Sequence, residues 1–162
     1  MPPVLLDLPL ADLRLAHRIA EGLTARDISR LPGSPYHSTE SARKAVEALL
    51  ARTGARTRAQ LAGWMAAQHL VTGPARPAGA PAELPPRIRQ ILAGWAAGRT
   101  TQDLADELGA SDASMHAYTG TLFIHLRVAN PAQAVVVGVH TGLITVHTGT
   151  PTSDAQEAPT AP

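Results

Sequence analysis

Two stretches of this chain run through the same punctuation in the same order: an apolar helical segment, a glycine, a threonine-led capping motif, a turn, and a longer capped segment. IAEGLTARDIS (19–29) lines up with WAAGRTTQDLA (95–105), with Gly22 on Gly98. Further on, ARTGARTRAQLAGW (51–64) lines up with IHLRVANPAQAVVV (124–137), with Gln60 on Gln133. The register slips by three residues between these two blocks. The extra length falls in LPGSPYHS (31–38), where the second stretch has the shorter LGAS. A length change confined to a Pro/Gly-rich turn is the kind a fold tolerates. Identities are few, and the duplication rests on the order of the signals.

A duplicated pattern of this length leaves about 60 residues per copy, a size at which a single core is marginal. Each copy reads as four short helices. In the first, Leu13 to Glu21 forms a helix that Gly22 ends in a left-handed cap. Thr24 and Asp27 then have capping-box spacing for a second helix, which stops before Pro32-Gly33. Ser38 caps a third helix, with Glu40 in its first turn. Ala42, Val46, Leu49 and Leu50 share one face of it, while Glu40, Arg43, Lys44 and Glu47 point away. Gly54 closes it, and Thr57 caps a fourth helix from Arg58 to Leu70. The second copy gives Ile88 to Ala97, Thr100 to Leu108, Ser111 to His125, and Pro131 to His140, where Pro131 suits a first helical turn. The expected class is all-α: two tandem four-helix helix-turn-helix domains, 8–71 and 84–147. A Pro/Ala/Gly-rich linker (72–83) joins them, and a disordered tail (148–162) follows.

Charge is divided unevenly between the halves. Residues 1–80 hold ten basic and six acidic side chains, a net of +4, while residues 81–162 hold four basic and seven acidic, a net of −3. A polyanion is attracted to the first half and not the second. The chain has no cysteine, which removes disulfides, thiol catalysis and thiolate zinc sites. MPPVLLDLPL lacks the basic start and sustained apolar run of a signal peptide. The apolar stretches fall short of the roughly 20 residues of a membrane span. The expected setting is a soluble cytoplasmic protein with no membrane association.

The residues AEGLTARDIS and LLARTGARTRAQ in copy one carry a resemblance, as do LPPRIRQIL, AAGRTTQDLADELGAS and VANPAQAV in copy two. In that order they resemble the LuxR-type (GerE) helix-turn-helix DNA-binding domain of bacterial regulators, in two tandem divergent copies. Copy two follows the family's spacing without gaps from Leu84 to Ile144. Copy one departs at the turn, where Pro32 stands in place of a leucine. The resemblance implies a transcription regulator whose third helix enters the major groove of double-stranded DNA while the second helix and loops hold phosphates. Carried onto copy one, this makes Glu40, Arg43, Lys44 and Glu47 base-facing and Arg26, Arg30, Thr39, Arg56 and Thr57 phosphate-facing. Arg43 suits a bidentate guanine contact, and Lys44 serves equally as a phosphate neutraliser.

The same four residues also have the spacing of two ion pairs, Glu40 with Lys44 and Arg43 with Glu47, on a solvated helix face. Copy two has His116 and Ala117 where copy one has Arg43 and Lys44. It places Gly120 mid-helix and carries no lysine or arginine between Ser111 and His125. It is expected either to assist DNA binding or to serve assembly. The resemblance gives the fourth helix a dimer role. That helix is apolar in both copies, with Leu61, Trp64, Val135 and Val139 as association residues, in a homodimer or an intrachain pseudo-dimer. A core role for Leu61, Trp64 and Val135 stands beside it. The alternative function is a protein-interaction module that binds another regulator or RNA polymerase, with the partner at copy two. Of seven histidines, His116, His125, His140 and His147 share no metal-ligand spacing on one helix face, and no nucleophile elbow, phosphate loop or dinucleotide fingerprint occurs. No catalytic residue, metal or cofactor is expected, and the chain is not read as an enzyme.

Overall fold

The computed structural model describes residues 5–72 and 83–146; most of the expected linker and the whole expected tail lie outside these. Among the described residues there are eight α-helices and no strand, preceded by a 3-10 turn at Leu5–Asp7. The first four helices are α1 (Leu10–Ala20), α2 (Ala25–Arg30), α3 (Thr39–Thr53) and α4 (Arg58–Ala67). The second four are α5 (Pro86–Ala96), α6 (Thr101–Leu108), α7 (Asp112–Leu126) and α8 (Pro131–His140).

Side-chain caps set most of these boundaries. Thr24 and Thr100 each accept from the backbone N–H three residues on, Asp27 and Asp103, whose carboxylates accept in return from the threonine N–H. The Thr24 and Thr100 bonds hold both carboxyls below their ordinary range. A lowered folded-state pKa contributes stability that is present above the ordinary carboxylate range and lost as pH falls through the lowered value. Ser38, Thr57, Ser111 and Asn130 cap α3, α4, α7 and α8, each side chain accepting from the backbone N–H three residues on.

Several boundaries differ from those expected. Helix α1 starts at Leu10 rather than Leu13, behind Pro9, which supplies no side-chain cap. Both α1 and α5 end one residue early, and α5 begins at Pro86 rather than Ile88. Helix α4 ends at Ala67 rather than Leu70, because the chain turns at His69, a non-glycine residue at φ 56°.

Two apolar clusters form, each built mainly from one set of four helices and completed by the other. The first gathers Leu15, Ile19, Ile28, Val46, Leu49, Leu61 and Met65, together with Ala132 and Val136 from α8. The second gathers Ile91, Leu92, Trp95, Leu104, Leu122, Val135 and Val137, together with Ala59 from α4. Helix α8 is therefore apolar on nearly every side because it lies between two cores. Its partner across the molecule is α4. They meet closely at Gly63, where a β-carbon would stand 2.9 Å from Val135 Cγ1.

Paired hydrogen bonds tie the two halves together. Gln133 Nε2 donates to the Glu21 carbonyl at 2.8 Å, and Gln60 Nε2 donates to the Ala97 carbonyl at 3.3 Å. The Oε1 atoms of the same glutamines accept from the Ala129 and Arg56 N–H groups, both at 2.8 Å. These are the positions that align in the sequence repeat, and residue i touching j while j's counterpart touches i's counterpart is the signature of an approximate twofold.

Gly22 and Gly98 sit under these glutamines at φ 87° and 85°. A β-carbon at either would collide with the overlying glutamine, whereas one at Gly54, φ 74°, meets nothing within 4 Å. Both Gly22→Ala and Gly54→Ala carry a backbone cost of about 1–2 kcal/mol. Gly22→Ala also displaces Gln133 and its hydrogen bonds, so denaturant unfolding should show it less stable than Gly54→Ala by about a further 1 kcal/mol. Equal losses would mean that the halves do not stay joined at Gln133.

Candidate nucleic-acid interface

Helices α2 and α3 pack against each other, with Ile28 and Ala25 of α2 and Ala42, Val46 and Leu49 of α3 turned inward. Inward turning of that face leaves Thr39, Glu40, Arg43, Lys44 and Glu47 exposed on the other. The Leu31–Ser38 turn does not cover them. Arg26 and Arg30 lie exposed on α2 and Arg56 is exposed ahead of α4, while Thr57 is half-buried.

One of the two expected ion pairs on α3 forms and the other is replaced. Glu40 pairs with Arg43, not Lys44. Arg43 Nη2 donates to Glu40 Oε1 at 2.8 Å and Nε donates to Glu40 Oε2 at 3.1 Å, a fork on one carboxylate. Its Nη1 donates to Glu47 Oε1 at 3.1 Å, the expected second pair. A guanidinium offers a second edge where an ammonium does not, and Arg43 uses it to reach both neighbours at once. The fork holds the Glu40 carboxyl below its usual range and raises the Arg43 guanidinium. Arg43 is still 53% exposed. Exposed pairs of this kind are worth at most about 1 kcal/mol, so a phosphate or base edge can take Arg43 from its glutamates at small cost. Among the described residues Lys44 has no ion-pair partner.

Thr57 Oγ1 accepts from the Gln60 N–H at 3.1 Å and keeps its own proton to donate. Thr57 and Arg58 line a groove of about 310 Å3 at the junction of the halves, with Thr24, Arg99, Thr100 and Asn130. Four of these six residues are the N-caps of α2, α4, α6 and α8, so four positive helix ends open toward one groove. Sequence reasoning missed this convergence, together with Arg58 and Arg99. The signal was present in the alignment of Gln60 with Gln133, which marks the contact that brings the two halves together.

Helix α7 stands where α3 stands in the first half, with a different outward face. Asp112, Ala113, His116 and Ala117 are exposed, and Ile124 is 77% exposed. Gly120 has nothing within 4 Å of where a β-carbon would sit. Of the association residues, Leu61 is enclosed in the first cluster and Trp64 packs against that cluster half-buried. Val135 is enclosed in the second cluster against Gly63, and Val139 packs against both clusters. Among the described residues no group of three His, Asp or Glu side chains is placed to hold a metal, and no single helix is long and apolar enough to cross a membrane.

An element order of helix, glycine, capped short helix, turn and long capped helix, closed by a fourth helix beginning Asn-Pro, is most regular from Leu84 onward. Residues 82–138 match the bacterial regulatory proteins of the luxR family (GerE). The LuxR-type match covers well under half of the chain and does not extend to residues 8–71, so the expected second tandem copy is not supported by it. Comparison with curated proteins and with solved structures gave no match. The LuxR-type family is one of DNA-binding regulators, and the matched residues lie in the less basic half of this chain.

Proposed function

We propose that the chain is a sequence-specific DNA-binding transcription regulator in which residues 8–71 form a divergent copy of the LuxR-type domain at 84–147. The two copies act as one intrachain pseudo-dimer. Helix α3 reads the major groove through Glu40, Arg43, Lys44 and Glu47, with Arg26, Arg30, Thr39, Arg56 and Thr57 on phosphates. The second copy assists binding or assembly. The observation that carries this reading is the outward face of α3, where Arg43 and Lys44 stand open to a duplex on a helix held rigid by its own core. The repeated glutamine contacts support the pseudo-dimer.

Selection from random duplexes tests it. The enriched sites should be asymmetric, with sequence information concentrated in the half contacted by α3. A symmetric palindrome would mean that two chains read DNA through the same helix, and no enrichment would remove sequence reading altogether.

The fork on Arg43 gives a second expectation. Glu40→Gln with Glu47→Gln removes two negative charges from the groove-facing side and frees the guanidinium. Affinity for random duplex should rise several-fold at low salt, with a steeper salt dependence, because phosphate neutralisation governs that regime. Discrimination between sites should fall as the cytosine-accepting carboxylates are lost.

The protein-interaction reading is favoured by one observation: α7, the third helix of the matched domain, has no lysine or arginine on it and leaves Ile124 in solvent. A copy that met only protein would retain DNA affinity in full after His116→Ala and Ile124→Ser, while losing its partner.

A further inference from the structure

The long turn that distinguishes the first copy forms one wall of a groove of about 730 Å3. Ile28, Leu31, Pro32, Pro35 and Tyr36 stand on that side. The opposite wall is one face of α1: Leu10, Leu13, Arg14, His17 and Arg18, at helical spacing. Leu10 is 63% exposed, one of two large apolar side chains so exposed among the described residues. Two prolines stiffen the turn wall, so the groove does not have to be organised by whatever enters it. Its volume is in the range of sites that take several side chains.

The lining residues include two arginines and a histidine and no carboxylate. Asp12, on the same helix, is buried on its other side and bridged by Arg52 at 2.7 Å. Arg18 shares an exposed pair with Glu21 at 2.9 Å, which a closer carboxylate displaces readily. A groove with an apolar floor and a basic rim suits a ligand with the reverse arrangement. A duplex backbone offers charge but nothing to cover Leu10.

We propose that this groove docks an amphipathic helical segment of a partner protein, its apolar side chains against Leu10, Leu13 and Leu31 and its carboxylates on Arg14 and Arg18. This is a protein-docking site on the first copy, separate from the α3 face and from any role of the second copy. It gives a DNA-bound regulator a way to recruit a second protein, through helix-in-groove recognition.

The test uses the full chain and a fluorescein-labelled helical peptide with leucines at i, i+3, i+4 and i+7 and glutamates on both flanks. A control peptide carries lysines in place of the glutamates. Binding of the acidic peptide in the micromolar range is expected, with at least a tenfold preference over the lysine peptide. Leu10→Asp, Ala11→Trp and Arg14→Glu should each weaken it about tenfold or more. Leu10, Ala11 and Arg14 are exposed, and unchanged thermal unfolding of the variants checks that the fold is kept. Their affinity for duplex DNA should be unaltered. Absence of binding, equal binding of the two peptides, or an Arg14→Glu loss as large for duplex as for peptide overturns the proposal, the last by making this a phosphate-contacting face.

Discussion

Replacing Arg43 and Lys44 together by alanine is expected to weaken binding to a selected duplex by one to two orders of magnitude. A bidentate arginine contact to guanine is worth about 1–3 kcal/mol of discrimination, and a lysine on a phosphate adds an electrostatic contribution. The two losses differ in kind. Arg43→Ala alone should relax preference at one base pair, while Lys44→Ala alone should weaken all sequences alike and lower the salt slope by about 0.9. His116→Ala, at the matching place on α7, should change affinity by no more than about threefold. Measurement is by fluorescence anisotropy across a salt series. An unchanged affinity for the double variant would remove α3 as the reader, since both side chains are exposed and Arg52, the other cation of α3, is bridged to Asp12.

The second large effect concerns the junction of the halves. Val135 is fully enclosed, packed against Gly63 where α4 and α8 meet. Val135→Asp buries a carboxylate with no partner built for it and should cost about 3–5 kcal/mol at neutral pH. For a chain of this length that lowers the unfolding midpoint by about 10 °C or more. The sign of the pH dependence follows from burial. The new carboxyl's folded-state pKa is raised above its unfolded value, so the deficit is smallest in acid and widens as pH rises through that interval. Val135→Ala leaves a cavity without a charge and should cost less, with no such trend. A loss under about 1 kcal/mol by chemical denaturation would mean that Val135 is not enclosed in solution.

Helix starts were legible where the signal is local. Thr24, Ser38 and Thr57 each cap the helix expected of them, because a side-chain oxygen three residues ahead of an N–H needs nothing from the rest of the fold. The start of α1 was not legible, since Pro9 supplies no capping side chain and Leu10 reads as loop by its surroundings. The end of α4 was hidden for a different reason. His69 takes a positive φ, which a non-glycine residue adopts rarely and no neighbouring residue announces.

The role of the fourth helices lay beyond any local pattern. Leu61 and Val135 are apolar whether a helix fills its own core or meets a neighbour, and in this fold α8 does both. What separates the two is Gly63 facing Val135 and the exchange of Gln60 and Gln133, which are long-range contacts. On the α3 face the four charged residues and the Arg43–Glu47 pair were legible, and the partner of Glu40 was not. Spacing alone does not tell whether Glu40 meets the residue three or four ahead, and the forked geometry of Arg43 decided it.

The most direct measurement is the stoichiometry and footprint of the complex on a selected duplex, by native mass spectrometry with hydroxyl-radical cleavage. One chain per duplex is expected, protecting two patches about one helical turn apart, the stronger under α3. Two chains per duplex, or one chain protecting a single patch, would contradict a reader built from both halves of one polypeptide.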